Sequence, residues 1–222
     1  MAEEHPVIEV PPAAGAEHFG TATWGTLLHF ARLLEEEGEV RGLVGPRELG
    51  RLWSRHLLNS LAIEEFIPAD ATVGDVGSGA GFPGIVLAIV RPDVTVTLIE
   101  SMERRTEWLR YVVGELDLRN VKVRTARAEQ LKGRFAADIV TARAVAALKK
   151  LLPWTMPLVK PGGRLVALKG ERAAQEINDA AAQLQRCGGC GLYRGARRNR
   201  RGYSSGRGGQ EGFVGQAGVL LG

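Results

Sequence analysis

The residues best suited to chemistry begin with one stretch. Thr72-Val73-Gly74-Asp75-Val76-Gly77-Ser78-Gly79-Ala80-Gly81-Phe82-Pro83-Gly84 runs from an apolar strand pattern into a glycine-rich turn, and Ile85-Val86-Leu87-Ala88-Ile89-Val90 continues as an apolar helical run. Strand, glycine loop and helix open a βαβ nucleotide-binding unit. Glycines let the backbone turn sharply and let a ligand approach the main chain. The helix start that follows presents free N–H groups. Val94-Thr95-Val96-Thr97-Leu98-Ile99 reads as the second strand, closed by Glu100. A carboxylate there accepts hydrogen bonds from ribose hydroxyls. The plain alternative is a glycine-rich αβ turn that holds no ligand.

The loop admits two readings. Gly77-x-Gly79-x-Gly81 with Asp75 before it resembles the S-adenosylmethionine (SAM) loop of class I methyltransferases, whereas Gly79-x-Gly81-x-x-Gly84 fits the dinucleotide fingerprint. Further candidates lie at the carboxyl ends of predicted strands, where open α/β sheets gather ligand and chemistry. After the third strand, Val121-Lys122-Val123-Arg124, the backbone of Ala128 and Glu129 is placed to read an adenine edge. The fourth strand, Phe135 to Thr141, leads to Arg143, which in that place reads as a functional group rather than a structural ion pair. The fifth, Arg164 to Leu168, ends at Lys169, a candidate for phosphate. Arg55 is a second candidate for phosphate or RNA. His56 has a functional reading, but the simpler one is a helix histidine bonded within its own helical segment.

The elements that must position these residues follow from periodicity. Residues 1–15, rich in Pro, Ala and Glu, read as disordered. From Ala16 to Glu37, Phe19, Trp24, Leu27, Leu28, Ala31 and Leu34 share a helix face, and Gly38 is a natural stop. Gly45-Pro46 opens a second helix. A helical cap over 16–70 thus precedes a nucleotide-binding core over 71–185. Within the core, Ser101 is a candidate cap for a helix to Leu116, and helices are expected over Val145–Met156 and Glu171–Gln185.

Composition bounds the class. At 222 residues and 45% hydrophobic, the chain suits one domain with an extension. No run approaches the ~20 apolar residues of a membrane span, and the acidic start Met1-Ala2-Glu3-Glu4 does not read as a signal peptide. A cytoplasmic protein is expected. The net charge of +4 is misleading: residues 186–222 hold seven Arg and one Glu, which leaves 22 basic and 24 acidic residues in the body. Any RNA contact must therefore come from a local patch. Cys187 and Cys190 both lie in that tail. A lone Cys-x-x-Cys makes a poor zinc site, so no metal is expected.

With these pieces in place the chain resembles the RsmG (GidB) family, bacterial 16S ribosomal RNA guanine-N7 methyltransferases. The resemblance spans about residues 17–185. It is carried by Arg55-His56-Leu57-Leu58-Asn59-Ser60, by Asp75 to Gly84 with its Gly81-Phe82-Pro83-Gly84 ending, by Thr141-Ala142-Arg143-Ala144 and by Leu168-Lys169-Gly170. It implies an α/β fold, a class I SAM-dependent methyltransferase (Rossmann-like) sheet behind an N-terminal helical cap. It implies SAM at the positions matching Gly77, Phe82, Ala128, Glu129 and Arg143, with Asp75, Ser78, Gly79, Gly81 and Glu100 in the same pocket. Arg143 is then the leading catalytic candidate, and Arg55, His56 and Lys169 face the RNA. The implied partner is 16S rRNA or the 30S subunit, met by a monomer. The alternatives are a class I methyltransferase for another RNA or a small molecule, and an NAD-binding Rossmann protein. The tail departs from the family, whose members add a helix and two strands. Residues 186–222 hold twelve Gly and little alternation, so the closing strands are expected to be missing or aberrant. A reading-frame shift near codon 186 would give such a tail, and a genuine disordered tail is the alternative.

Overall fold

The computed structural model describes residues 8–186, and beyond them the strands Gly191–Arg194 and Ala217–Leu221 by their backbone. Its centre is a sheet in the order β3-β2-β1-β4-β5-β7-β6. The first five strands are β1 (Thr72–Val76), β2 (Thr95–Glu100), β3 (Val121–Thr125), β4 (Ala137–Arg143) and β5 (Val159–Lys169), all parallel. β7 (Ala217–Leu221) runs antiparallel along β5, and β6 (Gly191–Arg194) antiparallel along β7. Chain order reverses between β1 and β4, which is where doubly wound sheets bind ligands.

Alternation along the strands assigns each residue to a face. Val73, Val96, Leu98, Ile139, Val166 and Leu168 pack in one cluster with α5 (Gly84–Val90), α6 (Glu103–Glu115) and the N-terminal helices. Val76, Ile99, Val140, Ala142, Leu165 and Ala167 pack in the other, with α7 (Leu148–Thr155), α8 (Ala173–Asp179) and α9 (Ala181–Arg186). By the same parity Asp75, Glu100 and Arg143 belong to the first face, and Lys169 to the second. Both faces are covered, so the strands read as continuous apolar runs.

The cap is built from α1 (Gly15–Phe19), α2 (Thr21–Glu37), α3 (Pro46–Leu49), a π-helical turn over Leu52–Leu57, and α4 (Leu58–Ser60) leading to a 3-10 turn over Leu61–Phe66. Trp24, Leu27, Phe30 and Leu34 of α2 and Trp53 of the π turn are buried. The single helix expected from Ala16 breaks at Gly20, whose φ of 79° and ψ of 151° cannot continue a helix. Residues 8–15, expected to be disordered, are tied down: Glu9 N–H donates to the Leu49 carbonyl (3.3 Å), and the Glu9 carboxylate accepts Ser54 N–H (3.0 Å).

Other expectations need correction. Ser101 does not cap α6, because Met102 holds the cap position and Glu100 takes the Ser101 and Met102 amides. β5 begins at Val159, ahead of the expected start at Arg164, and the helix expected over 171–185 divides at Ala180. The missing closing strands are the largest difference. β7 pairs Ala217–Leu221 with Leu165–Lys169, so the second edge of β5 is covered. Gly218 and the short Val219-Leu220-Leu221 run carried too little alternation to announce a strand. The frame-shift reading covers residues from 186 on, of which 187–190, 195–216 and 222 lie outside the described residues, as do Cys187 and Cys190.

At the amino ends of the strands, Asp138 holds β1 and β4 together. It accepts Thr72 N–H (2.9 Å) and Thr72 Oγ1 (2.5 Å), and Lys160 Nζ from β5 lies 3.0 Å away. These bonds, led by those from Thr72, lower its pKa from 3.8 to about 2. The depressed value means the stabilisation is present above pH 3.8 and is lost as pH falls through about 2. Asp138→Asn is therefore expected to lower stability at neutral pH and to flatten acid unfolding across that window, followed by circular dichroism.

Candidate active site

The loop between β1 and α5 is held from both ends. Gly77 N–H and Ser78 N–H donate to the Ile99 carbonyl of β2 (2.8 and 3.3 Å), and Ser78 Oγ donates to the Asp75 carbonyl (2.9 Å). Trp108 Nε1 on α6 donates to the Ala80 carbonyl (3.0 Å). Gly77, Gly79 and Gly81 have φ of 71°, 56° and 114°, backbone that side chains rarely adopt. Gly84 is required for a different reason: a Cβ there would meet Leu98, and Asp75 Oδ2 at 2.6 Å. It lets α5 lie directly on the sheet, the packing role of the third glycine in the dinucleotide reading.

Asp75 sits under this loop with its side chain fully buried. Gly84 N–H donates to its Oδ2 (3.1 Å), while Oδ1 has no hydrogen-bond partner among the described residues. Burial pushes its pKa up to about 7, against the Gly84 bond and the Arg143 charge. Glu100 is almost as buried, at 5% exposure. Its Oε1 accepts Ser101 and Met102 N–H (2.7 and 2.9 Å), and Oε2 accepts Gly79 N–H (3.1 Å), with Arg105 at 3.9 Å. A carboxylate offers about four acceptor sites. Oε1 is filled, and Oε2 has room for one more donor. Glu100 thus shapes the loop and keeps acceptor capacity for a hydroxyl.

Arg143 ends β4 on the same face. Its Nη1 donates to the Arg55 carbonyl (3.1 Å), its Nη2 to His56 Nδ1 (2.5 Å), and its guanidinium lies 4.9 Å from the centre of the Phe82 ring. Burial lowers its pKa to about 10. The next residue, Ala144, has φ of 55°, a left-handed conformation that turns the chain sharply. Val145 then lies across Gly77, 2.5 Å from where a Cβ would stand.

His56 is bonded to more than its own cap. Nδ1 takes Arg143, Nε2 lies 2.7 Å from Glu48 Oε2, and the ring packs 5.2 Å from Phe82. Burial and the Arg143 charge lower its pKa to about 4. Arg55 Nε lies 3.3 Å from the same Glu48 oxygen. The Phe82 side chain packs on Phe30 and His56, so it joins the loop to the cap. Ala128 is buried and Glu129 exposed at the start of a 3-10 turn after β3, and Ala126 N–H reaches the Glu100 carbonyl (3.0 Å).

Lys169 does not join this group. Its parity puts it on the opposite face, where Nζ pairs with Glu176 Oε2 (2.9 Å) and donates to the Ala146 carbonyl. Buried at 7% exposure, it secures the loop after β4 and is not placed to hold phosphate. Glu48 and Val145 were missed. The eight-residue spacing of Glu48 and His56 was the available signal for the first. Nothing in the sequence announced the second.

The family described as rRNA small subunit methyltransferase G matches residues 24–193. The chain is 52% identical over 177 residues to ribosomal RNA small subunit methyltransferase G of Thermobifida fusca, covering 80% of this chain and 74% of that protein. It is 51% identical over 179 residues to the same-named protein of Leifsonia xyli, covering 81% and 85%. Among solved structures, tRNA (m1A58) methyltransferase TrmI from Aquifex aeolicus superposes with a TM-score of 0.54 at 14% identity, covering 74% of this chain and 67% of that one. That likeness speaks for the fold.

Two stability measurements check this geometry. Gly84→Ala is expected to lose about 1–3 kcal/mol in chemical denaturation, the usual cost of overpacking. Asp75→Asn is expected to stabilise the ligand-free protein. The wild-type carboxyl folds best while protonated, so its penalty grows as pH rises from 3.8 to about 7. The Tm advantage of Asp75→Asn should grow over the same range and then level off.

Proposed function

Because the chain belongs to the small-subunit ribosomal RNA methyltransferase G family, we propose that it transfers a methyl group from SAM to N7 of a guanine in 16S rRNA. The observation that carries this reading is the set of groups gathered at the carboxyl ends of β1, β2, β3 and β4. SAM presents an amino acid, a ribose and an adenine. A buried acceptor with an unused oxygen, Asp75 Oδ1, suits an ammonium. The guanidinium of Arg143 suits a carboxylate. The remaining acceptor capacity of Glu100 suits a ribose hydroxyl, and the backbone at Ala128 and Glu129 suits an adenine edge. The residues fit the cofactor. Gly79 leaves the main chain bare beside it, Gly77, Ser78 and Gly81 shape the loop, and Phe82 backs it.

Bound there, SAM supplies a methyl group already activated on a sulfonium. Guanine N7 carries an in-plane lone pair and needs no deprotonation. The protein's task is then alignment, for which well-oriented reactants gain roughly 7–11 kcal/mol. A site whose histidine is neutral and held at both ring nitrogens suits that task. Arg143 and Val145 border the place where cofactor and guanine meet, and Arg55 stands at the rim with a half-exposed side chain to meet RNA phosphate. The protein acts as a cytoplasmic monomer on 16S rRNA or the 30S subunit.

The full chain, incubated with labelled SAM and 30S subunits from a strain lacking the family enzyme, is expected to yield N7-methylguanosine on nuclease digestion. Label in another nucleotide would overturn the N7 reading. Arg143→Ala is expected to weaken S-adenosylhomocysteine by about 10–150-fold in calorimetry, the worth of charge-assisted hydrogen bonds, with its circular dichroism unchanged.

A further inference from the structure

We propose that Glu48 is a positioning residue for Arg143, acting through the neutral ring of His56 and so setting the affinity for the amino-acid end of the cofactor. The proposal rests on the reading of Arg143 given above. A guanidinium has donors and no acceptor. Arg143 Nη2 is 2.5 Å from His56 Nδ1, so Nδ1 must offer its lone pair and the ring proton must sit on Nε2. Nε2 is 2.7 Å from Glu48 Oε2, which accepts that proton. The carboxylate thereby selects the only tautomer that can receive Arg143.

The arrangement has a chemical advantage over a direct ion pair. A carboxylate on Arg143 would neutralise it and compete with an anionic ligand. A neutral imidazole fixes the guanidinium and leaves its charge available. Burial and the two arginines facing the ring outweigh Glu48 and keep it neutral. Arg143 approaches from β4, Arg55 lies on the π turn, and Phe82 packs at a tilt from the loop, while Glu48 brings negative charge. Glu48 is itself placed by α3, whose Leu49 is buried and whose start is set by Pro46. It is further steadied by Arg55 Nε at 3.3 Å. The Arg55 carbonyl holds the second arm of the guanidinium. The π turn, a widened helical form frequent at functional sites, thus grips Arg143 at two adjacent residues.

The test uses Glu48→Leu, Glu48→Gln and Arg143→Ala in the full chain. Long-range proton–nitrogen spectra of the histidine rings read the His56 tautomer without ligand, and calorimetry with S-adenosylhomocysteine reads affinity. Wild type is expected to show the Nε2–H form. Glu48→Leu should mix the two tautomers and weaken S-adenosylhomocysteine about tenfold, the worth of one hydrogen bond. Glu48→Gln should restore both, since its amide oxygen accepts the same proton. If Glu48→Leu weakens binding with the tautomer unchanged, or Glu48→Gln fails as badly, the relay is overturned and Glu48 is only structural. If Glu48→Leu changes neither readout, the proposal also falls. If Arg143→Ala binds as wild type does, the reading of Arg143 fails and takes the cofactor half of the proposal with it. The tautomer spectrum still decides whether Glu48 sets the ring.

Discussion

The hydrogen bond from Gly84 N–H to the buried Asp75 carboxylate is the contact on which the site depends. It fixes how closely the first helix approaches the first strand. That spacing leaves the intervening residues one compact path, turned by glycines at 77, 79 and 81. The bond engages one carboxylate oxygen and leaves the other buried beneath the loop. An unpartnered buried acceptor is costly in a folded chain. Strain of this kind, kept where a ligand relieves it, belongs to a binding site better than to a scaffold.

Around that contact the sheet sorts its residues by parity. Odd positions of β1 and β4 and even positions of β2 and β5 face the cap. Asp75, Glu100 and Arg143 therefore meet on one face, with α5 between sheet and cap. The cap is joined to this face through Phe82 and the His56 ring. The site is thus shared between two chain segments distant in sequence, and its geometry depends on how they dock.

Much of this was legible in the sequence. The glycine loop, Asp75, Glu100 and the end of β4 follow from a strand running into glycines and from acids and an arginine at strand ends. Lys169 misled because strand-end position was read without parity: Leu165 and Ala167 pack on the other face, and Lys169 follows them. His56 was underestimated because its second partner, Arg143, lies 87 residues away. Gly20 breaks a helix whose apolar face runs on across it, and periodicity alone does not register a left-handed residue. The closing strand Ala217–Leu221 escaped because its pairing is supplied by β5, not by its own pattern.

The clasp between Glu9 and the start of the π turn has a practical meaning. Ser54 N–H belongs to the unsatisfied first amides of that turn, and an acid from far upstream supplies its acceptor. The stretch before the first helix is therefore a working part of the molecule, reaching to within two residues of His56. A fusion partner or trimmed start that draws this stretch aside would loosen the pocket from behind, at a distance from every ligand-facing group.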